Sequence, residues 1–145
     1  MKIFTIGFTG KTAQEFFGKL QSSGAAYLLD TRLNNTSQLA GFTKKGSIEY
    51  FTRRLTDLTY VEVPLLAPEN EMLKQYRTDN DWLAYEVAYL DLIRQRNVAE
   101  ELNEELFRGG AVLLCSERTA DQCHRRLAAE FLKSTRYSDA EIVHL

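Results

Sequence analysis

An α/β fold, a three-layer Rossmann-like sheet of about five mainly parallel strands with helices on both faces, is predicted by three observations. Short apolar runs of strand length alternate with segments of helical period along the whole chain. The run Ala111-Val112-Leu113-Leu114-Cys115 is apolar throughout and lies between Gly109-Gly110 and a polar loop, as a central parallel strand does. Lys2 to Gly7, rich in Ile, Phe and Thr, leads through a glycine-containing loop into a helix start, which is half of a βαβ unit.

The elements follow in order. Thr12 stands three residues before Glu15, ahead of Phe16, Phe17 and Leu20, so a capping box opens the first helix and Gly24 stops it. Ala25 to Asp30 is the second strand, parallel to the first through a right-handed crossover. Thr31 to Gly46 shows no period and is the longest expected loop. Ile48, Phe51, Leu55 and Leu58 have helical spacing, and Tyr60 to Pro64 is a third strand closed by proline. A short helix is expected within Pro68 to Thr78. Leu83, Val87, Leu90 and Ile93 mark a longer one, introduced by the cap candidates Asp79 to Asp81. Val98 to Arg108 reads as one further helix ended by Gly109-Gly110. After the central strand, Thr119 and Gln122 suggest a second capping box, with Leu127, Ala128 and Phe131 on the core side of that helix, and Glu141 to Leu145 is the last strand.

The chain of 145 residues is 44% hydrophobic, enough for one core, so residues 1–145 are expected to form a single domain. Lys and Arg number 18 against 20 Asp and Glu, a balance that excludes attachment to nucleic acid or membrane by bulk charge. MKIFTIGFTGKT carries neither a signal-peptide core nor a membrane span, and the two cysteines, Cys115 and Cys123, read as thiols; the expected location is the cytoplasm. Thr5-Ile6-Gly7 with Gly10 is not a dinucleotide fingerprint, and no phosphate-binding G-x-x-x-x-G-K-[ST] loop occurs.

In parallel sheets ligands bind beyond the carboxyl ends of the strands. The residues there are Gly7 to Thr9, Asp30 and Arg32, Pro64 to Glu69, Cys115 to Arg118, and His144 in the last strand. Asp30 and Arg32 can bind or polarise a ligand, or can form an internal ion pair that fixes the loop. Cys115 precedes a helix start and Arg118, both of which lower a thiol pKa; it is also a good address for an ordinary buried cysteine. A phosphatase loop would need arginine where Asp121 stands. Rhodanese-type sulfur transfer also places cysteine after a central strand, yet Glu117 occupies a loop that should cradle an anion with amides. His124 falls on the apolar side with Ala120, Leu127 and Phe131, while Arg125 and Arg126 splay to the flanks. Cys115, Cys123, His124 and His144 are conceivable zinc ligands but lack a close Cys-x2-Cys pair, so no metal is assigned and no cofactor is named. Lys44, Lys45, Arg53 and Arg54 interleave with Phe42, Tyr50 and Phe51, an arrangement that suits a single strand or nucleotide and equally a solvated helix face.

Thr5-Ile6-Gly7, Asp30-x-Arg32, Ser37, Leu66-Ala67-Pro68, Cys115-x-Glu117, Cys123-His124-Arg125 and Val143-His144 together resemble an uncharacterised bacterial and archaeal family, domain of unknown function 488, over essentially the whole chain. Phe8-Thr9 stands where many members carry His-Ser. The resemblance implies a Rossmann-like three-layer fold and a shared polar site of Asp30, Arg32, Cys115, Glu117, Cys123, His124 and Arg125, and implies no established reaction. The candidate catalytic residues are Glu117, Cys115, Asp30 and His124; the candidate ligand-binding residues are Arg32, Arg125, Ser37, Thr9, Cys123 and His144. Two functions fit: an enzyme acting on a nucleotide or nucleic-acid component, with Glu117 or Asp30 as base, or a non-catalytic domain holding such a ligand. Sulfurtransferase-like thiol chemistry is a third reading. The expected partner is an anionic small molecule or nucleic-acid component, without a membrane.

Overall fold

The computed structural model describes residues 1–36 and 40–145. Five strands, β1 (Lys2–Gly7), β2 (Tyr27–Asp30), β3 (Thr59–Glu62), β4 (Ala111–Cys115) and β5 (Glu141–His144), form one sheet in the order β3-β2-β4-β1-β5. Every pairing is parallel, with Ile6 opposite Leu114 and Gly7 opposite Cys115. Among the described residues six α-helices surround it: α1 (Ala13–Ser23), α2 (Ser47–Leu55), α3 (Asn70–Asp79), α4 (Trp82–Gln95), α5 (Val98–Glu101) and α6 (His124–Thr135). Among the described residues no helix is long and apolar enough to cross a membrane.

The period of two along the strands sorts their side chains into two cores. Phe4, Ile6, Leu28, Val112 and Leu114 pack with Phe16, Phe17 and Leu20 of α1 and Ile48 of α2. Ile3, Leu29 and Leu113 face the other way, onto Tyr85, Tyr89 and Ile93 of α4 and Leu127 and Ala128 of α6. The chain leaving β1 and β2 therefore turns to one face of the sheet, and the chain leaving β4, which lies between them, turns to the other. A crevice opens where these paths part, at the carboxyl end of β4.

The first helix follows its sequence signals: the Thr12–Glu15 capping box is formed, and Gly24 takes the left-handed conformation at φ 69°. Two expectations need correction, and two of the expected helices form but bury other residues than some of those that mark them. The segment Val98 to Arg108 is not one helix but α5 followed by a 3₁₀ turn at Glu104–Phe107, because the Asn103 side chain accepts from the Glu105 amide at 3.0 Å and starts a new turn. In α4 the buried face is Tyr85, Tyr89, Leu92 and Ile93, and Leu83 and Val87 are exposed; the Tyr89 hydroxyl, donating to Leu66 O at 2.7 Å, helps fix that rotation. In α2 Thr52 is buried with Ile48 while Leu55 is exposed. Finally, α6 starts at His124 with Cys123 as N-cap, so Thr119 and Gln122 belong to the preceding loop. Arg125 and Arg126 bind the Glu117 and Asp121 carbonyls of that loop at 2.6 and 3.1 Å, which holds it off the helix.

Candidate active site

The floor of the crevice is built from the end of β4 and the start of α6. Cys115 Sγ lies 3.5 Å from His124 Nδ1, both side chains buried. The other ring nitrogen, Nε2, is 2.9 Å from Thr31 O and 3.0 Å from Thr31 Oγ1. Thr31 Oγ1 donates its single proton to Leu114 O at 2.8 Å, so it can only accept from His124. Nε2 therefore carries a hydrogen, and Nδ1 is the nitrogen that exchanges a proton with the thiol. This is the relation of nucleophile, base and orienting group that activates cysteine nucleophiles.

The charges agree with that geometry. A hydrogen bond from Cys123 holds the Cys115 thiol well below its ordinary value against the opposing effect of burial, and His124 and the Glu117 amide act in the same direction. Burial alone would lower His124, but the thiolate beside it raises the imidazole above its usual value. Cys123 is pushed up by burial and by the Cys115 thiolate, and so stays protonated. Arg118, the sequence candidate for activating Cys115, is exposed and lies beside Gly10. α6 begins at His124, next to this sulfur pair, and its N-terminus adds a favourable potential for a thiolate.

Above the floor is a cavity of about 360 Å³, within the range that holds small-molecule ligands. Cys115, Cys123, His124, Glu117 and Arg32 line it, and α3 and α4 supply an aromatic wall of Tyr76, Trp82 and Tyr85. The Trp82 and Tyr85 rings stack at 5.2 Å, and Tyr76 meets Trp82 edge-on at 5.7 Å. Arg77 lines the same space.

Asp30 and Arg32 form the internal ion pair that was one of the two sequence readings. Arg32 grips Asp30 with two parallel hydrogen bonds, Nε to Oδ1 at 2.9 Å and Nη2 to Oδ2 at 2.8 Å, and its amide adds a third at 3.1 Å. Tyr60 donates to Oδ2, and Asn35 Nδ2 lies 3.4 Å from it. The carboxylate thus has five donors around it, and its pKa falls despite a burial penalty because Arg32 favours the charged form. Burial and the Asp30 bond in turn push the Tyr60 phenol up. These bonds hold Asp30 and the Arg32 guanidinium in a fixed relation. Arg32 Nη2 also donates to Thr43 O at 2.7 Å, whereas Nη1 is buried without a hydrogen-bond partner among the described residues, the guanidinium lying 5.6 Å from the Phe8 ring.

The remaining sequence candidates fall into a second group. Arg125 is 1% exposed, not on the flank of α6, and its Nη1 donates to Glu117 O at 2.6 Å, with Cys123 Sγ at 3.7 Å. Its Nε reaches Thr5 Oγ1 at 3.4 Å, and Thr5 Oγ1 meets His144 Nδ1 at 2.6 Å. Glu117 thus has its carbonyl locked while its side chain is exposed at the cavity. Thr9 Oγ1 donates to Ser116 O at 2.6 Å and ties the β1 loop to the β4 loop. Thr9, Arg125 and His144 lie outside the cavity lining, and Ser37 falls outside the described residues. Tyr60, Thr31, Tyr76, Trp82 and Tyr85 were not singled out from the sequence. Tyr76, Trp82 and Tyr85 come together only through the turn between α3 and α4; the aromatic spacing of Trp82, Tyr85 and Tyr89 along α4 was the available signal.

Among the described residues, Cys115, Cys123 and His124 bring three donor atoms within 4.8 Å of one another. Two thiolates and an imidazole are the donors of a soft divalent ion, which would occupy the lone pair that a nucleophilic sulfur needs.

The family model described as domain of unknown function DUF488 matches residues 12–132, and the chain belongs to that family. Comparison with curated proteins and with solved structures found no match.

Proposed function

We propose that this DUF488 chain is a thiol-dependent enzyme in which Cys115 attacks an anionic substrate of about nucleotide size. The observation that carries this reading is the buried Cys115–His124 pair at the floor of an open cavity, with the imidazole tautomer fixed by Thr31. In the first step the thiolate forms a bond to an electrophilic centre of the substrate, and the leaving group departs with the proton held at His124 Nδ1. In the second, water or an acceptor molecule gives its proton to the same nitrogen and releases the product from sulfur. Arg32, which lines the cavity and is held in place by the Asp30 fork, supports recognition of the anionic group, and its Nη1 has no hydrogen-bond partner among the described residues. Tyr76 and Trp82 offer faces for a planar group such as a nucleobase. Glu117 at the rim is available to a second proton transfer.

The test is a screen of nucleotides and other anionic metabolites by thermal shift, followed by turnover and acid-quenched mass spectrometry on the hits. The expected result is a covalent adduct on Cys115, with Cys115→Ser losing adduct and turnover while keeping the ligand-induced rise in Tm. Turnover by Cys115→Ser at the parent rate would refute the reading. A ligand that stabilises the parent with neither adduct nor turnover would support the non-catalytic binding domain instead.

A further inference from the structure

Cys123 has no part in the chemistry proposed above, yet it is 2% exposed, lines the cavity, and lies with Cys115 and His124 in a cluster whose donor atoms are all within 4.8 Å. It is the N-cap residue of α6, but its side chain makes no capping hydrogen bond, so turning its sulfur breaks only the 3.7 Å contact from Arg125 Nη1. The loop that separates the two cysteines, Ser116 to Gln122, contains neither helix nor strand, but its Ser116, Glu117 and Asp121 carbonyls are tied down, so the approach of the two sulfurs falls to rotation of the Cys123 side chain. A second cysteine sulfur bordering the same cavity as a histidine-paired cysteine is the arrangement in which one cysteine is oxidised and its neighbour resolves it.

We infer that Cys115 is a site of oxidation by hydroperoxides and that Cys123 is its resolving partner, so that the pair closes reversibly to a disulfide. This rests on the same activated Cys115 as the proposed function. In the first step Cys115 sulfur attacks one peroxide oxygen; the sulfur–oxygen bond forms as the oxygen–oxygen bond breaks, and the departing oxygen takes the His124 proton to leave as water or an alcohol. Sulfur is oxidised by two electrons to the sulfenic acid, and the peroxide is reduced. In the second step Cys123 sulfur attacks Cys115 sulfur, the sulfenic hydroxyl leaves with the Cys123 proton as water, and the disulfide remains. The peroxide need not be large: it has only to enter a cavity on which both sulfurs border. Bridging removes the nucleophile, so peroxide would silence the proposed activity until a dithiol restores it.

The experiment treats the purified full chain, after chelator treatment, with one equivalent of hydrogen peroxide in the presence of an equal concentration of free cysteine. Intact mass and peptide mapping provide the readout, which needs no knowledge of the substrate. The expected result is loss of two hydrogens, a crosslinked peptide joining Cys115 to Cys123, and full recovery with dithiothreitol. In Cys123→Ser, treated without free cysteine, the expected product is a single added oxygen at Cys115 that dimedone captures. Absence of the crosslink, accumulation of added oxygens on the parent chain, or a divalent ion held through chelation in a native spectrum would each overturn the inference. Parallel labelling of Cys115 with iodoacetamide separates the two proposals: an activated Cys115 that never bridges refutes the disulfide alone, and an unreactive Cys115 refutes the nucleophile.

Discussion

The carbonyl oxygen of Glu117 rests against the α-carbon of Gly7: a Cβ there would lie 1.6 Å from it and 2.7 Å from Arg125 Nη1. Gly7 is needed for this close approach, by which the β1 end supports the β4 loop and, through Arg125, the start of α6. Both contacts are with groups held by hydrogen bonds, so Gly7→Ala has no soft neighbour to displace. The expected outcome is a stability loss at or above the ~1–3 kcal/mol of overpacked cores, read as a drop in denaturation midpoint. Labelling at Cys115 should change as well, since the loop carrying the Glu117 amide must move.

Glu117→Gln separates the backbone role of this residue from that of its side chain. The carbonyl that Arg125 holds is unaltered, and the carboxylate is exposed. Stability should change by less than ~0.5 kcal/mol, as for surface substitutions. Once a substrate is in hand, a fall in kcat at unchanged Tm would give the carboxylate a proton-transfer role, and unchanged kinetics would confine its contribution to the backbone.

Asp30→Asn leaves Arg32 buried with one charge uncompensated, and the expected loss is ~3–5 kcal/mol at neutral pH, as for a broken buried pair. Because Asp30 has a folded pKa below its unfolded one, the stability it contributes is present above the ordinary carboxylate range and disappears as pH falls through the depressed folded value. Chemical denaturation between neutral and strongly acidic pH should therefore show a smaller acid-dependent loss in Asp30→Asn than in the parent. Tyr60→Phe removes one neutral donor to the same carboxylate and should cost less, about 1.5–3 kcal/mol, as for hydrogen bonds to charged groups.

The sheet and most of its elements were legible because their signals are local. Ala111 to Cys115 is apolar on both faces, and Thr12, Glu15 and Gly24 mark a helix from cap to stop. The start of α6 was misread because the expected Thr119–Gln122 box competes with carbonyl bonds from Arg125 and Arg126, which depend on tertiary placement. The same holds for Arg125, whose burial beside Thr5 and Glu117 cannot be seen in helical periodicity. Asp30, Arg32, Cys115, Glu117 and His124 were nameable from strand ends; Thr31 was passed over between two charged residues, though it fixes the histidine tautomer. The aromatic wall comes from α3 and α4, which join the site only after the chain has crossed the sheet.

The most direct test of the Cys115–His124 pair is the pH profile of iodoacetamide labelling at Cys115 in chelator-treated protein, read by mass spectrometry. Comparison of midpoints, not absolute rates, removes the effect of burial on access. The expected midpoint lies well below the usual thiol value of about 8.5, and His124→Gln should shift it upward, since that variant removes the imidazolium that favours the thiolate. A midpoint at or above the usual thiol value in the parent, or one that His124→Gln does not move, would contradict a nucleophile activated by His124.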